Sequence, residues 1–279
     1  MNSMRRLGLV ALVMGVTTSM AQAEDQIQRG AYLVNTIMAC GNCHTSQGPE
    51  GPGPELAGGL AFELPAFTTY AANITPDRET GIGDWSDEEI GQAIREGVGR
   101  DGRLLAPIMP AEFYQHLSDN DLAAVISYLR QLEPVRNQVP DTLFNMPLPA
   151  AWVAPIETVP EPDQDDPVAY GAYLGQIAHC MECHTPRNEE GHLDFVRMGT
   201  GGQEFPGPWG TSVSPNITPH LEKGIGAWSD AEIKRAITQG ISRNGYELRP
   251  PMAFAYYANI TDQDLNRLIS WLRSLPPRE

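Results

Sequence analysis

The chain has 279 residues, 19 of them basic and 35 acidic, for a formal net charge of −16. Its lysines are Lys223 and Lys234 alone; the remaining basic residues are arginines. So acidic a chain is a poor candidate for nucleic acid or anionic lipid; a partner drawn by charge would present a basic patch, and the plainer reading of the charge is a soluble acidic surface. The length suits two domains.

In chain order, the first feature is Arg5-Arg6, then an apolar run from Leu7 to Val16, then Ala21-Gln22-Ala23 ahead of Glu24. These are the basic, apolar and small-residue parts of an export signal, so 1–23 is expected to be cleaved. The run is too short to span a bilayer, and no later stretch of the mature chain is apolar and long enough to span one. A first helix is predicted from Gln26 to Ala39, carrying Gly30-Ala-Tyr-Leu33, followed by Cys40-Gly-Asn-Cys43-His44. A middle helix starts at Ser86, where Glu89 completes a capping box and Ile90, Ala93 and Ile94 repeat at helical spacing. The last helix of this half starts at Ser118, carries Leu122, Val125, Ile126 and Leu129, and is ended by Pro134.

Residues 134–167 are rich in proline and acids, the composition of an extended and rather stiff linker. Phe144 and Trp152 within it are large apolar groups, so part of the linker is expected to pack across the domains. The plan then repeats. A helix from Val168 to His179 carries Gly171-Ala-Tyr-Leu174 and leads into Cys180-Met-Glu-Cys183-His184. Ser229 with Glu232 opens the second middle helix, and Thr261 opens a last helix carrying Leu265, Leu268, Ile269 and Leu272 before Pro276. Asn73-Ile-Thr-Pro returns as Asn216-Ile-Thr-Pro, and Gly81-Ile-Gly-Asp-Trp85-Ser as Gly224-Ile-Gly-Ala-Trp228-Ser, at an offset of 143 residues. Such repetition marks two tandem domains, 24–133 and 168–279. No run reads as a strand, so the fold class is mainly α. Gly30 and Gly171 read as positions where the last helix crosses closely, near Tyr128 and Trp271.

The two pentapeptides use every cysteine in the chain. Cys-x-x-Cys-His is the attachment signature of a c-type haem: the thiols add across the porphyrin vinyl groups and the following histidine becomes an axial iron ligand. A disulfide, a thiol redox motif or a zinc site are the alternatives for such pairs. Neither a zinc site nor a thiol redox site calls for a histidine beside the second cysteine in both copies. The expected cofactors are therefore two covalently bound haem c, on Cys40 and Cys43 and on Cys180 and Cys183, with His44 and His184 on iron. Export signal and attachment motifs agree on the bacterial periplasm.

Both halves resemble class I cytochrome c domains, and the chain resembles the multihaem cytochrome c subunits of periplasmic alcohol and aldehyde dehydrogenases. The residues that carry this are Asn-Ile-Thr-Pro, Gly-Ile-Gly-x-Trp-Ser-Asp-x-Glu and the stretches ending at Met109 and Met252. Those subunits often hold three haem domains and a membrane-binding tail, where this chain reads as two domains without one. The resemblance, with the 143-residue offset, implies Met109 and Met252 as the second axial ligands, in proline-rich loops suited to holding a thioether rigidly. Methionines of this kind otherwise serve as core filler. Haem propionates are anionic and need donors. Arg100, Arg243, Trp85, Trp228, Asn73 and Asn216 are the candidates, with loop stabilisation as their alternative role.

The implied function is electron transfer, from a periplasmic dehydrogenase to a cytochrome or terminal oxidase of the respiratory chain, with no catalytic residues of its own. The alternative is a dihaem redox enzyme such as a cytochrome c peroxidase. That chemistry needs one iron with an open or displaceable position, whereas each half offers its own methionine.

Overall fold

The computed structural model describes residues 23–279, so the expected export signal, save Ala23, lies outside the described residues. Helix α1 occupies 23–37; its last turn, Leu33–Ile37, is a π-helix closed by the Met38 N–H donating to Leu33 O at 2.8 Å. Its counterpart α6, Pro167–Ile177, is opened by the Asp166 carboxylate, which accepts from the Val168 and Ala169 N–H groups. Proline costs nothing at that first helical position, because its missing N–H would have no partner there. Both helices stop two residues short of their predicted ends, since Ala39 and His179 adopt left-handed φ values of 48° and 43°. That reversal starts the short helical turns α2, Gly41–His44, and α7, Cys180–His184.

The middle helices are α3, Asp87–Arg95, and α8, Asp230–Gln239. Each has its predicted capping box. Ser86 Oγ accepts from Glu89 N–H while the Ser86 N–H donates to Glu89 at 2.7 Å, and Ser229 with Glu232 repeats this at 2.7 Å. Short α4, Ala111–Tyr114, and α9, Phe254–Tyr257, precede the last helices α5, Asp119–Leu129, and α10, Asp262–Ser274. Ser118 and Thr261 cap these as expected, and the predicted apolar stripe is buried on α10 and, apart from the partly buried Leu122, on α5.

Helix α10 lies along α6, and the crossing point is Gly171. A Cβ there would fall 2.6 Å from the Arg267 carbonyl carbon and 3.0 Å from Trp271 Cβ. At Gly30 it would fall 2.6 Å from the Ala124 carbonyl carbon and 2.8 Å from Tyr128 Cβ. Hydrogen is the only side chain that lets backbones approach this closely, so both glycines hold the role the repeat suggested.

The expectation of no strands needs correcting. Antiparallel β3, Ala61–Leu64, and β4, Phe67–Tyr70, recur as β6, Glu204–Gly207, and β7, Gly210–Val213, and a two-residue ribbon joins β1, Gln47–Gly48, to β2, Gly51–Pro52. Four residues are too few for a period-2 pattern to stand out, and such hairpins draw their stability from what they pack on. Residues 134–167 are extended, as their proline content suggests, and the packed part lies against the first half. Within it β5, Leu143–Phe144, pairs with β4 in the register Phe67↔Phe144, and the two phenyl rings meet edge-on with centroids 6.3 Å apart. Trp152 Nε1 donates to Leu105 O at 2.7 Å, and the Asp119 N–H donates to Val159 O at 3.0 Å. Proline keeps such a segment extended and removes donors, so a few remaining polar groups and large apolar side chains decide where it lies. Among the described residues no helix is long and apolar enough to cross a membrane.

Candidate cofactor-attachment sites

Each attachment motif is a single helical turn, so its two cysteines, three residues apart, lie on one side of it. In the first half the Cys40 N–H donates back to Val34 O at 3.0 Å and the His44 N–H to Cys40 O at 2.9 Å, which ties the turn to α1. No disulfide joins any of the four cysteines. Burial pushes Cys40, Cys180 and Cys183 up to about 12, and burial with the nearby Glu182 carboxylate pushes Cys43 up to about 11. A thiol–disulfide redox site has the opposite character, a lowered thiol pKa. Nor do the cysteines converge as zinc ligands would: no group of three or more histidine, cysteine or acidic side chains is placed to hold a metal among the described residues.

The histidines are fixed identically. His44 Nδ1 lies 2.7 Å from Ala72 O and His184 Nδ1 lies 2.8 Å from Pro215 O. A carbonyl oxygen only accepts, so Nδ1 carries the proton in both rings and the Nε2 lone pair is left for a metal. Burial lowers both pKa values and keeps the rings neutral, the form that ligates. This is the arrangement an axial histidine needs: orientation set by a backbone acceptor on the far side of the ring.

Met109 and Met252 occupy equivalent, partly buried positions against the core. Met109 O accepts from the Ala111 N–H at 2.8 Å and Met252 O from the Phe254 N–H at 2.9 Å, so each methionine immediately precedes a short helix. That helix supplies a buried tyrosine to the residue two before the first cysteine of its own half's attachment motif. Tyr114 Oη donates to Met38 O at 3.5 Å and Tyr257 Oη to Ala178 O at 3.4 Å. Methionine loop and attachment motif are thereby joined within each half.

Trp85 and Arg100 line a cavity of about 390 Å³ together with Gly99, Asp101 and Arg103. Two guanidinium groups beside an indole suit an anionic carboxylate, although Arg103 also pairs with Asp101 and Asp141. Arg100 pairs with Glu89 at 3.4 Å and Arg243 with Glu232 at 3.5 Å, so the capping-box glutamates also hold these arginines. Trp85 O accepts from Arg130 Nη2 at 2.8 Å, and Trp228 O from Arg273 Nη2 at 2.8 Å. The same arginines bind Asp87 and Asp230. Arg130 and Arg273 were not among the sequence candidates, although their 143-residue offset was the available signal.

Asn73 and Asn216 are committed to protein partners. Their Nδ2 groups donate to Val135 O at 2.7 Å and Arg278 O at 2.8 Å, and their Oδ1 atoms accept from Thr75 and Thr218. Their observed work is loop closure.

The two sites also face one another, a relation that sequence reading of each half by itself does not contain. Asn42 Nδ2, inside the first attachment turn, donates to Pro251 O at 3.1 Å, one residue before Met252. Reciprocally, Met109 and Glu182 share the lining of a small cavity of about 50 Å³ with Trp152, Arg187 and Leu193. Tyr114 also sets its ring edge-on to His179, with centroids 6.0 Å apart.

Comparison with known proteins gives the chain its relatives. Residues 168–276 match the family described as cytochrome c, and residues 25–129 match that described as cytochrome c oxidase, cbb3-type, subunit III. The chain is 31% identical to the gluconate 2-dehydrogenase cytochrome c subunit of Pantoea cypripedii, over 97% of this chain and 65% of that protein. It is 33% identical to the fructose dehydrogenase cytochrome subunit of Gluconobacter japonicus, over 90% of this chain and 53% of that one. A dihaem cytochrome c-type protein of Cereibacter sphaeroides is 28% identical over 86% of this chain and 83% of its own length. Of the relatives named as dehydrogenase subunits, the chain thus spans at most about two thirds of the length.

Proposed function

The chain belongs to the c-type cytochromes, one such domain in each half, and from that premise we propose that it is a periplasmic electron-transfer protein holding two covalent haems. Cys40 and Cys43 hold one and Cys180 and Cys183 the other, with His44 and Met109, and His184 and Met252, as the axial pairs. The bound groups supply one-electron redox chemistry. What the chain does is hold, orient and enclose them. Ala72 and Pro215 set the ring orientation of the histidines through Nδ1. Proline-bounded loops present the methionines, and Trp85 with Arg100, and Trp228 with Arg243, act as donors to the propionates.

The observation that carries this reading is the matched pair of Nδ1 hydrogen bonds, because it leaves Nε2 available in both motifs and in the same tautomer. The contact of each attachment turn with the other half's methionine loop supports a path between the sites. The donor is a dehydrogenase, on the names of the relatives, and the acceptor a cytochrome or terminal oxidase. The export signal read in 1–23 supports the compartment.

Expression of the full gene in a host that matures c-type cytochromes tests the proposal. The expected product is an exported chain with two covalent haems, counted by mass and by alkaline pyridine spectrum, each of Cys43→Ala and Cys183→Ala leaving one haem attached through two thioethers. A product with four alkylatable thiols, or with bound zinc, contradicts it.

A further inference from the structure

The contact between the halves is built from equivalent residues used reciprocally. Tyr32 on α1 donates its hydroxyl to Asp264 on α10 at 2.8 Å, and Tyr173 on α6 donates to Asp121 on α5 at 2.5 Å. Each hydroxyl also accepts the N–H of the opposite half's N-cap residue, Thr261 to Tyr32 at 3.3 Å and Ser118 to Tyr173 at 3.4 Å. Tyr32 and Tyr173 stand at matching places in the repeat, as do Asp121 and Asp264, so the interface has an approximate two-fold axis. The aspartates are 5% and 6% exposed.

Each aspartate is also bound by an arginine. Arg29 grips Asp121 through Nε at 2.8 Å and Nη2 at 2.7 Å, and Arg267 donates to Asp264 at 3.1 Å. The two arginines meet at one residue, Tyr170: Arg29 Nη2 donates to its hydroxyl at 3.1 Å and Arg267 lies 4.2 Å over its ring. A buried polar network with every member satisfied specifies one arrangement, because sliding the halves would leave buried charge unpaired.

The connection to the sites is direct. Tyr32 lies on the helix that runs into Cys40, and Tyr173 on the helix that runs into Cys180. Each is pinned to the start of the other half's last helix, which crosses its own first helix at a glycine. We infer that Tyr32, Tyr173, Asp121 and Asp264 are positioning residues that fix the two haem-attachment turns in register across the domain interface. This rests on the electron-transfer reading only for its purpose; the positioning itself is a property of the chain.

The test is the haem-loaded full chain carrying Tyr32→Phe and Tyr173→Phe together. Electron transfer between two held centres falls steeply with their separation, so a loosened interface is expected to slow electron exchange between the two haems severalfold. The absorption spectrum of each haem should stay unchanged. Small-angle scattering of the same variant reads the arrangement of the halves independently of any redox event, and a broadened distance distribution is expected. A variant with wild-type scattering and wild-type exchange overturns the inference. A broadened distribution in a protein whose wild type shows no exchange upholds the positioning role and removes the electron-transfer reading instead.

Discussion

Replacing Gly30 or Gly171 by alanine tests the helix-crossing geometry on which both sites stand. In an exposed helix the change would stabilise the protein by about 0.5–1 kcal/mol, since alanine loses less conformational freedom on folding. Here the added methyl group would fall 2.6 Å from a carbonyl carbon at either site, where ordinary contact lies between 3.4 and 4 Å. The obstacle is backbone, so no rotamer change relieves it, and the helices must part locally by roughly 1 Å. Overpacking of this kind costs about 1–3 kcal/mol, and the rigid obstacle places these sites toward the upper end. Set against the propensity gain, the net loss is about 2 kcal/mol. Gly91 on α3 is the internal control: its Cβ would meet only Leu122 Cδ2, at 3.2 Å, a side-chain atom free to move. Urea unfolding of the haem-loaded protein should show Gly30→Ala and Gly171→Ala destabilised and Gly91→Ala neutral or stabilised. Crossing-site variants as stable as wild type would show that the helices part there without cost.

Ser86→Ala and Ser229→Ala each break a capping box and should cost about 1 kcal/mol in the same unfolding assay; variants as stable as wild type would show that the side-chain cap contributes nothing. Alkaline stability should depend on Tyr32, which burial first, and then its bond to Asp264, pushes up from 10.0 to about 12. A pKa raised in the folded state gives a contribution complete below pH 10 and lost as the pH rises to about 12. Tyr32→Phe should therefore lose less stability across that window than wild type, and superimposable curves would exclude the effect. Trp152→Ala removes the 2.7 Å bond to Leu105 O and should make the 134–167 strap a faster target for limited proteolysis; an unchanged cleavage rate would mean the strap is held elsewhere.

How much was legible in the sequence follows from the range of each interaction. Capping boxes and helix stripes are set within three or four residues, and Ser86 with Glu89 and Ser229 with Glu232 emerged as read. The Gly30 and Gly171 crossings are long-range, yet they were readable because the repeat presented each of them twice. Strands β3 and β4 escaped because four residues carry too little pattern and β4 gains its partner β5 from more than seventy residues away. Asn73 and Asn216 show the limit of residue type as a guide: an amide suits a propionate or a loop equally well, and only the partners Val135 and Arg278 decide what it binds here. The reciprocal Tyr–Asp pairs lay beyond reach for another reason. They arise from how two domains face each other, and the 143-residue repeat describes each domain by itself.

On the function proposed above, each half presents one histidine and one methionine to a covalently held haem. The most direct measurement is the oxidised near-infrared absorption and EPR of the haem-loaded protein, with the methionine–iron charge-transfer band quantified per haem in wild type, Met109→Ala and Met252→Ala. Wild type should show a band equivalent to two low-spin His/Met haems, and each variant a band equivalent to one. A high-spin haem in wild type, or a band that either substitution leaves at full strength, would contradict that ligation.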